Sequence, residues 1–425
     1  MFFLYQAIIT ILLILSPLII GFRILKKKED RKRFKEKFCF PSKKRIVGNL
    51  VWFHGSSVGE ILSIVPLIYE LEKNKSINQI LITSSTLSSA AIFKKFKFKK
   101  TLHQFFPIDS IFYSYKFLNY WKPTIAIFVE SEIWPSIFKS LNKKNTPLLL
   151  LNARITKKTF KKWNYIRSFS NTVFKNISTA YPQNNETFNY LKRLNVSKIK
   201  RIGNLKFANN NQDKLIKLDK TLLKHLKNRK FWCASSTHPG EEIICSRVHI
   251  NLKKKYKNFL TIIIPRHIHR TDKIIKEIKH LKLNVVTHSS KPKSIKNADI
   301  YLVDTFGETK KFYQAANIVF MGKSLAGKGG QNPLEPTRYG AAVLYGPNIG
   351  NFVDTYKLLD KLKVTHKVNG IKSLTLLINK LIIKPNDKKN YLKIEKIGKK
   401  ILNETKDEIN SLLNNEIKKT KILGL

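Results

Sequence analysis

Short apolar runs of strand length recur along this chain. Each closes on a small polar cluster and gives way to a helical stretch, and no other feature restricts the fold as much. Ile46–Phe53, Gln79–Thr83, Thr124–Val129 and Pro147–Asn152 read as strands, with helices at Ile61–Glu70 and near Ser89–Phe96. This rhythm predicts a parallel sheet with helices on both faces, an α/β fold. It restarts at Phe231–Ala234 and runs through Phe259–Pro265, Leu283–Thr287, Asp299–Leu302, Ile318–Met321 and Ala342–Tyr345. The polar, turn-rich stretch Gly203–Asp213 separates the two sets, so domains are expected at 23–210 and 211–425. The basic tail Lys388–Leu425 reads as helical, broken near Asn403, with its last helices able to pack back on the first domain. Ligands of open α/β sheets sit beyond the carboxyl ends of the strands, where nearly every polar cluster lies. Two such sheets facing each other would form a cleft with a ligand on each wall.

The amino terminus belongs to neither set. Met1–Phe22 carries no charged side chain and is long enough to cross a bilayer core. Arg23, Lys26, Lys27 and Lys28 follow it and no basic residue precedes it, the reverse of a cleaved signal peptide. Residues 1–22 therefore read as a signal-anchor transmembrane helix with the bulk of the chain on the cytoplasmic side. Pro17 can kink that helix without preventing a span. The competing reading is a helix lying in the membrane interface or in a membrane-facing protein groove. The net charge of +52 over 425 residues invites a nucleic-acid reading. The lysines are scattered, however, and no zinc-finger spacing or aromatic RNA-binding signature is present, so no nucleic-acid partner is expected. A basic surface would instead help hold an anionic membrane. Three cysteines, Cys39, Cys233 and Cys245, form no CxxC pair, which points to a reducing compartment without structural zinc.

Several clusters carry candidate chemistry. Met321–Phe352 is dense in glycine, including Gly322, Gly329 and Gly330, with Ser324 among them. Such a loop admits close backbone approach, and its amides suit a phosphate or a polyol. Asn332-Pro333-Leu334-Glu335-Pro336 reads as a helix start, with Glu335 near the positive end. Glu60 follows the turn HGSSVG at the start of a helix, where the dipole favours its ionised form and suits it to take a proton from a hydroxyl nucleophile. The competing reading is a helix-capping glutamate. His54 is a second base candidate or a structural hydrogen-bonder. Glu130 and Glu132 in ESEIWP could share one face, orienting hydroxyls, serving a glycosidase or holding a metal, while Trp134 could stack on a sugar or fill the core. Lys206, Ser236, Thr237 and Arg266, with His267 beside it, could form an anion-binding half of the site, Arg266 as a bidentate partner. A surface salt bridge is the plainer role for Arg266. Neither a GxxxxGK[ST] loop nor a GxGxxG at the first strand is present.

Taken in order, HGSSVGE, ESEIWP, LNARIT, RIGNLKF, ASSTHPGEE, PRH, DTFGE and GGQNPLEPTRYGAAVLYGP resemble bacterial 3-deoxy-D-manno-oct-2-ulosonic acid (Kdo) transferases from about Val51 to Phe352. The resemblance implies a GT-B glycosyltransferase, two Rossmann-like domains facing across a cleft, with no cofactor and no metal. It implies CMP-Kdo as donor, the lipid A precursor as acceptor, and a place at the inner membrane. Glu60 would be the general base of an inverting displacement. Arg266, His267, Gly322, Ser324, Gly329, Gly330, Asn332 and Glu335 would bind the donor's CMP. Lys206, Ser236 and Thr237 would contact its phosphate or carboxylate, and Glu130 and Glu132 would lie on the acceptor side. A related enzyme using a UDP-sugar, or an inactive membrane-bound binding homologue, are the alternatives. Ser84–Ala90 lacks the glycine usual in that family, and Gln331 stands where a histidine is usual.

Overall fold

The computed structural model describes residues 1–208, 218–350, 352–385 and 389–422. It divides into two compact units, Met1–Asn210 with Ile397–Leu425, and Asn211–Lys396. The expected boundary at residues 210 and 211 lies outside the described residues, as do Lys388 and the last three residues of the tail.

In the first unit, β1 (Leu50–His54), β2 (Gln79–Ser84), β3 (Thr101–Phe105), β4 (Ile125–Val129), β5 (Leu148–Ala153) and β6 (Thr179–Pro182) form a sheet in the order β3-β2-β1-β4-β5-β6. Every pairing is parallel. The residues of β1, β2, β4 and β5 are all buried, as strands covered on both faces must be, which is why they read as unbroken apolar runs. Trp52, Trp121, Phe117, Phe128 and Phe138 fill the core on one face. The second unit holds β7 (Lys230–Thr237), β8 (Phe259–Pro265), β9 (Val285–Thr287), β10 (Ile300–Leu302), β11 (Ile318–Met321), β12 (Ala342–Tyr345) and β13 (Thr365–Lys367), in the order β13-β12-β11-β7-β8-β10-β9 and again parallel. Two apolar clusters, one with Tyr313 and Tyr356 and the other with Trp232 and Phe320, line this sheet. In both sheets the strand order reverses beside the first strand, between β1 and β4 and between β7 and β11. Such reversals open a crevice at the carboxyl ends of the strands.

Some sequence expectations need correction. The first strand starts at Leu50, not Ile46, because Gly48 turns the chain at φ 110° and leaves Val47 exposed. The tail is one unbroken helix, Lys389–Ile422, through Asn403. Asparagine is only a mild helix breaker, and burial of Ile401, Ile409 and Leu413 on the same helix outweighs it. This helix packs in the first unit: Gly398 lies against the Phe207 carbonyl, where a Cβ would come within 2.3 Å, and Glu408 takes Lys200 and Tyr181. Strands β3, β6 and β13 escape the apolar-run criterion because they carry Thr, His, Gln, Tyr and Pro.

At the amino terminus, α1 (Phe2–Leu25) is a single helix that includes Pro17. Its mean hydropathy of 2.5 makes it long and apolar enough to cross a membrane, by length and composition.

Candidate functional site

The turn after β1 and the start of α2 (Val58–Glu72) make the first polar centre. Ser57 is the N-cap, and its Oγ accepts the Glu60 amide at 3.3 Å. Glu60 completes a capping box, its Oε2 accepting the amides of Ser56 (2.7 Å) and Ser57 (3.2 Å). A Cβ at position 55 would stand 3.1 Å from the Glu60 Cβ, so Gly55 leaves room for this fold-back. Oε1 of Glu60 accepts from no described residue. The capping and basic readings of Glu60 are therefore compatible, since one oxygen caps while the other stays open.

The expectation that the helix dipole keeps Glu60 ionised is corrected. Burial, then the Glu132 carboxylate and, less strongly, Glu130, push Glu60 up to about 7 against the capping bonds from Ser57. At neutral pH such a group exists in both forms, which suits a proton acceptor.

Glu130 and Glu132 lie just past β4 and take different partners. Glu130, at φ 57° and buried, pairs with the Lys206 ammonium at 2.6 Å. Glu132 Oε2 accepts from Ser56 Oγ (2.6 Å), Trp134 Nε1 (2.9 Å) and His54 Nε2 (3.2 Å). Burial pushes Glu132 up, but the bonds from His54, Ser56 and Trp134 outweigh it and hold the carboxyl below its usual value. His54 is fully buried, stacked on Phe106 and bonded to Thr83, and burial holds it below its ordinary value. It is a structural hydrogen-bonder, not a second base. Trp134 packs on Phe106 as well as serving Glu132. In the divergent Ser84–Ala90 segment, Thr86 caps α3 (Leu87–Phe93), and Ser89 Oγ donates to the Ser56 carbonyl at 2.8 Å.

The second polar centre follows β7 and β11. Two glutamates that sequence reasoning did not single out organise it. Glu241, fully buried at the start of α4 (Glu241–Lys253), takes the amides of His238, Lys323, Ser324, Leu325 and Ala326. The first half of the glycine-rich loop thus carries its own internal anion, and those amides are not open to a phosphate. The sequence signal for this is the acidic pair after His238-Pro239-Gly240. Glu242, also fully buried, accepts from Thr237 Oγ1 (3.0 Å) and from Arg270. Thr237 is thereby committed inside the unit, and Ser236 sits at a left-handed φ of 55° in the β7–β8 irregularity. Ser324 is likewise internal, its Oγ donating to the Met321 carbonyl and accepting the Gly346 amide. The reason for Gly322 is close approach: a Cβ there would lie 2.3 Å from the Ser236 carbonyl oxygen.

What remains open is the second half of the loop and the end of β8. The amides of Gly327, Lys328, Gly329, Gly330 and Gln331 donate to no described residue, and Gly329 and Gly330 have positive φ. Arg266 is exposed, and its guanidinium pairs with no described side chain, so the salt-bridge reading fails. His238, His267 and His269 gather beside it, with ring centroids 5.7 and 5.5 Å apart. Asn332 Oδ1 accepts the Leu334 amide, and Glu335 lies in the first turn of the five-residue helix Leu334–Arg338. Lys206 belongs to the first unit, with Glu130, and Ser236, Thr237 and Arg266 belong to the second.

Comparison with known proteins bears on this arrangement. A family profile described as 3-Deoxy-D-manno-octulosonic-acid transferase (kdotransferase) matches residues 32–209. A 3-deoxy-D-manno-octulosonic acid transferase of Rickettsia bellii is 34% identical over 411 residues, covering 94% of this chain and 97% of its own. The Haemophilus influenzae protein of the same name is 28% identical over 423 residues, covering 95% and 96%. Among solved structures, a glycosyltransferase from Rickettsia africae superposes with a TM-score of 0.56 at 14% identity, over 89% of this chain and 99% of that one. That likeness speaks for the fold, two parallel-sheet α/β units of the GT-B kind.

Proposed function

The chain belongs to the 3-deoxy-D-manno-octulosonic acid (Kdo) transferase family, and on that premise we propose that it moves Kdo from CMP-Kdo to the lipid A precursor, lipid IVA. Glu60 is the base. Its free Oε1 takes the proton of an acceptor hydroxyl, and the oxygen attacks the anomeric carbon of Kdo. The bond from that carbon to the CMP phosphate oxygen breaks as the new one forms, so the centre inverts and CMP leaves as the anion. The observation that carries this reading is a glutamate at a strand-order reversal with one oxygen held by amides, the other open, and a carboxyl tuned to about 7.

Leaving-group charge is where fixed donors contribute most. Arg266, the histidines beside it and the unpaired amides of Gly327–Gln331 are suited to hold CMP, with Asn332 and Glu335 toward its ribose. Gly322 and Ser324 act from beneath, shaping the loop. Glu132 orients the acceptor through Ser56. Lys206 can meet the Kdo carboxylate only by exchanging Glu130 for it. The basic surface and α1 support a location at the cytoplasmic face of the inner membrane.

Incubation with CMP-Kdo and tetraacylated precursor, followed by mass spectrometry of the lipid, tests the reaction and counts the sugars added. CMP should inhibit and UDP should not; inhibition by UDP alone would favour a different nucleotide sugar. Glu60→Gln should abolish transfer while CMP binding, read by calorimetry, stays near wild type. Full activity in that variant refutes the assignment of the base.

A further inference from the structure

At the first polar centre, the direction of each hydrogen bond in a short chain of side chains follows from which atoms carry hydrogen. Trp134 Nε1 is a donor only, so its 2.9 Å bond to Glu132 Oε2 makes that oxygen an acceptor. Ser56 Oγ meets the same oxygen at 2.6 Å and therefore donates to it. A serine hydroxyl has one hydrogen. With its own spent on Glu132, Ser56 accepts in its 3.1 Å contact with Ser85 Oγ, and Ser85 is the donor there. Ser85 has then spent its hydrogen as well. Its oxygen keeps a lone pair that no described residue uses, on a side chain that is only half-buried.

The segment that carries Ser85 is built around Ser56. The two residues stand just past the carboxyl ends of β2 and β1, which are neighbours in the sheet. Ser89 Oγ donates to the Ser56 carbonyl at 2.8 Å, and Thr86 Oγ1, 2.7 Å from Ser89 Oγ, caps α3. Ser56 also gives its amide to Glu60 at 2.7 Å. One residue therefore joins the base to the hydroxyl chain, and a single bound sugar unit can reach both. The chain ends on a carboxylate that also holds His54, so each link polarises the next and leaves Ser85 Oγ a stronger acceptor than an isolated hydroxyl.

We propose that Ser85 binds the acceptor substrate, its oxygen accepting a hydrogen bond from an N–H or O–H of the acylated glucosamine other than the attacking hydroxyl. The attacking hydroxyl gives its one hydrogen to Glu60 and has none left for Ser85. The fixed direction of the chain makes this contact selective. A carbonyl, ester or phosphate oxygen brought to Ser85 would set lone pair against lone pair, whereas an amide N–H or a hydroxyl completes the chain. The inference rests on the transferase reading above and adds a contact to it. It also gives the divergent Ser84–Ala90 segment a role: Ser89 holds the turn that carries the base, and Ser85 faces the substrate.

Initial rates of the full chain with CMP-Kdo and the tetraacylated precursor test this contact. In Ser85→Ala the KM for the precursor should rise about five- to tenfold, the loss of one hydrogen bond. Both kcat and the KM for CMP-Kdo should stay as in the wild type, a split that a residue serving only the fold would not produce. An unchanged precursor KM overturns the proposal, and so does an equal rise for both substrates. Two precursor analogues on the wild-type chain repeat the test without relying on a variant. One has its amide-linked acyl chains ester-linked, and the other lacks every hydroxyl but the attacking one. The analogue missing the group that Ser85 reads should bind the wild type about five- to tenfold more weakly and lose nothing further on Ser85→Ala. If neither analogue loses affinity, or both lose as much again on Ser85→Ala, the proposal falls. These affinities are read by calorimetry in detergent with no donor present. Absence of Kdo transfer by the wild-type chain would overturn the transferase reading and leave the binding comparison standing.

Discussion

Two carboxylates that both accept a hydrogen bond from Ser56 behave differently because their surroundings differ. Glu132 has three donors on one oxygen and stays low, while Glu60 has only capping amides, is partly buried and faces a neighbour of like charge. If Glu60 is the base, transfer should fall as pH drops below about 7, because the carboxyl then holds its proton. Glu132 favours that protonated form, so removing its charge should lower the Glu60 pKa. In Glu132→Gln the acidic limb of the rate profile is therefore expected to move to lower pH. A limb that stays put or moves upward would separate the two groups. The same shift has a cost in folding. A carboxyl raised above its unfolded value takes no penalty below about 4.5, and stability is lost as pH rises through about 7. Glu60 is thus held at some expense to the fold, as functional groups often are.

Among elements, the glycine-rich loop depends most on a single residue outside it. Five amides converge on the Glu241 carboxylate, which a glutamine can match at one oxygen only, while its amide group opposes the other donors. Glu241→Gln should destabilise the second unit by about 3 kcal/mol, read as a lower urea midpoint, with weaker CMP binding in parallel. Unchanged values for both would show that the loop holds itself. This contact was not visible in the sequence, because it joins a helix start to a loop some eighty residues away. The strands buried on both faces were legible, since such burial leaves a run of Ile, Leu, Val and Phe that needs no partner to identify. Strand β3, TLHQF, was not, because His103 and Gln104 are polar groups buried by the surrounding fold. At the candidate site, Glu60 could be read from its turn. The division of its two oxygens between cap and open side, and the pairing of Glu130 with Lys206, depend on coordinates.

At the scale of the whole molecule, the last helix is a structural part of the first unit. Ile401, Ile409 and Leu413 are buried, Glu408 bridges Lys200 and Tyr181, and Asn410 meets Asn74. Three buried aliphatic side chains at about 2 kcal/mol each rival the entire stability of an ordinary domain. Truncation after Lys396 should remove or sharply lower the first unit's calorimetric transition while the second unit keeps its own and still binds CMP. Two unshifted transitions would mean the helix is dispensable. One consequence concerns synthesis. In chain order all of the second unit is made between the sheet of the first unit and the helix that closes it. The sheet of the first unit therefore waits, while the whole second unit is being made, for the helix that completes its core.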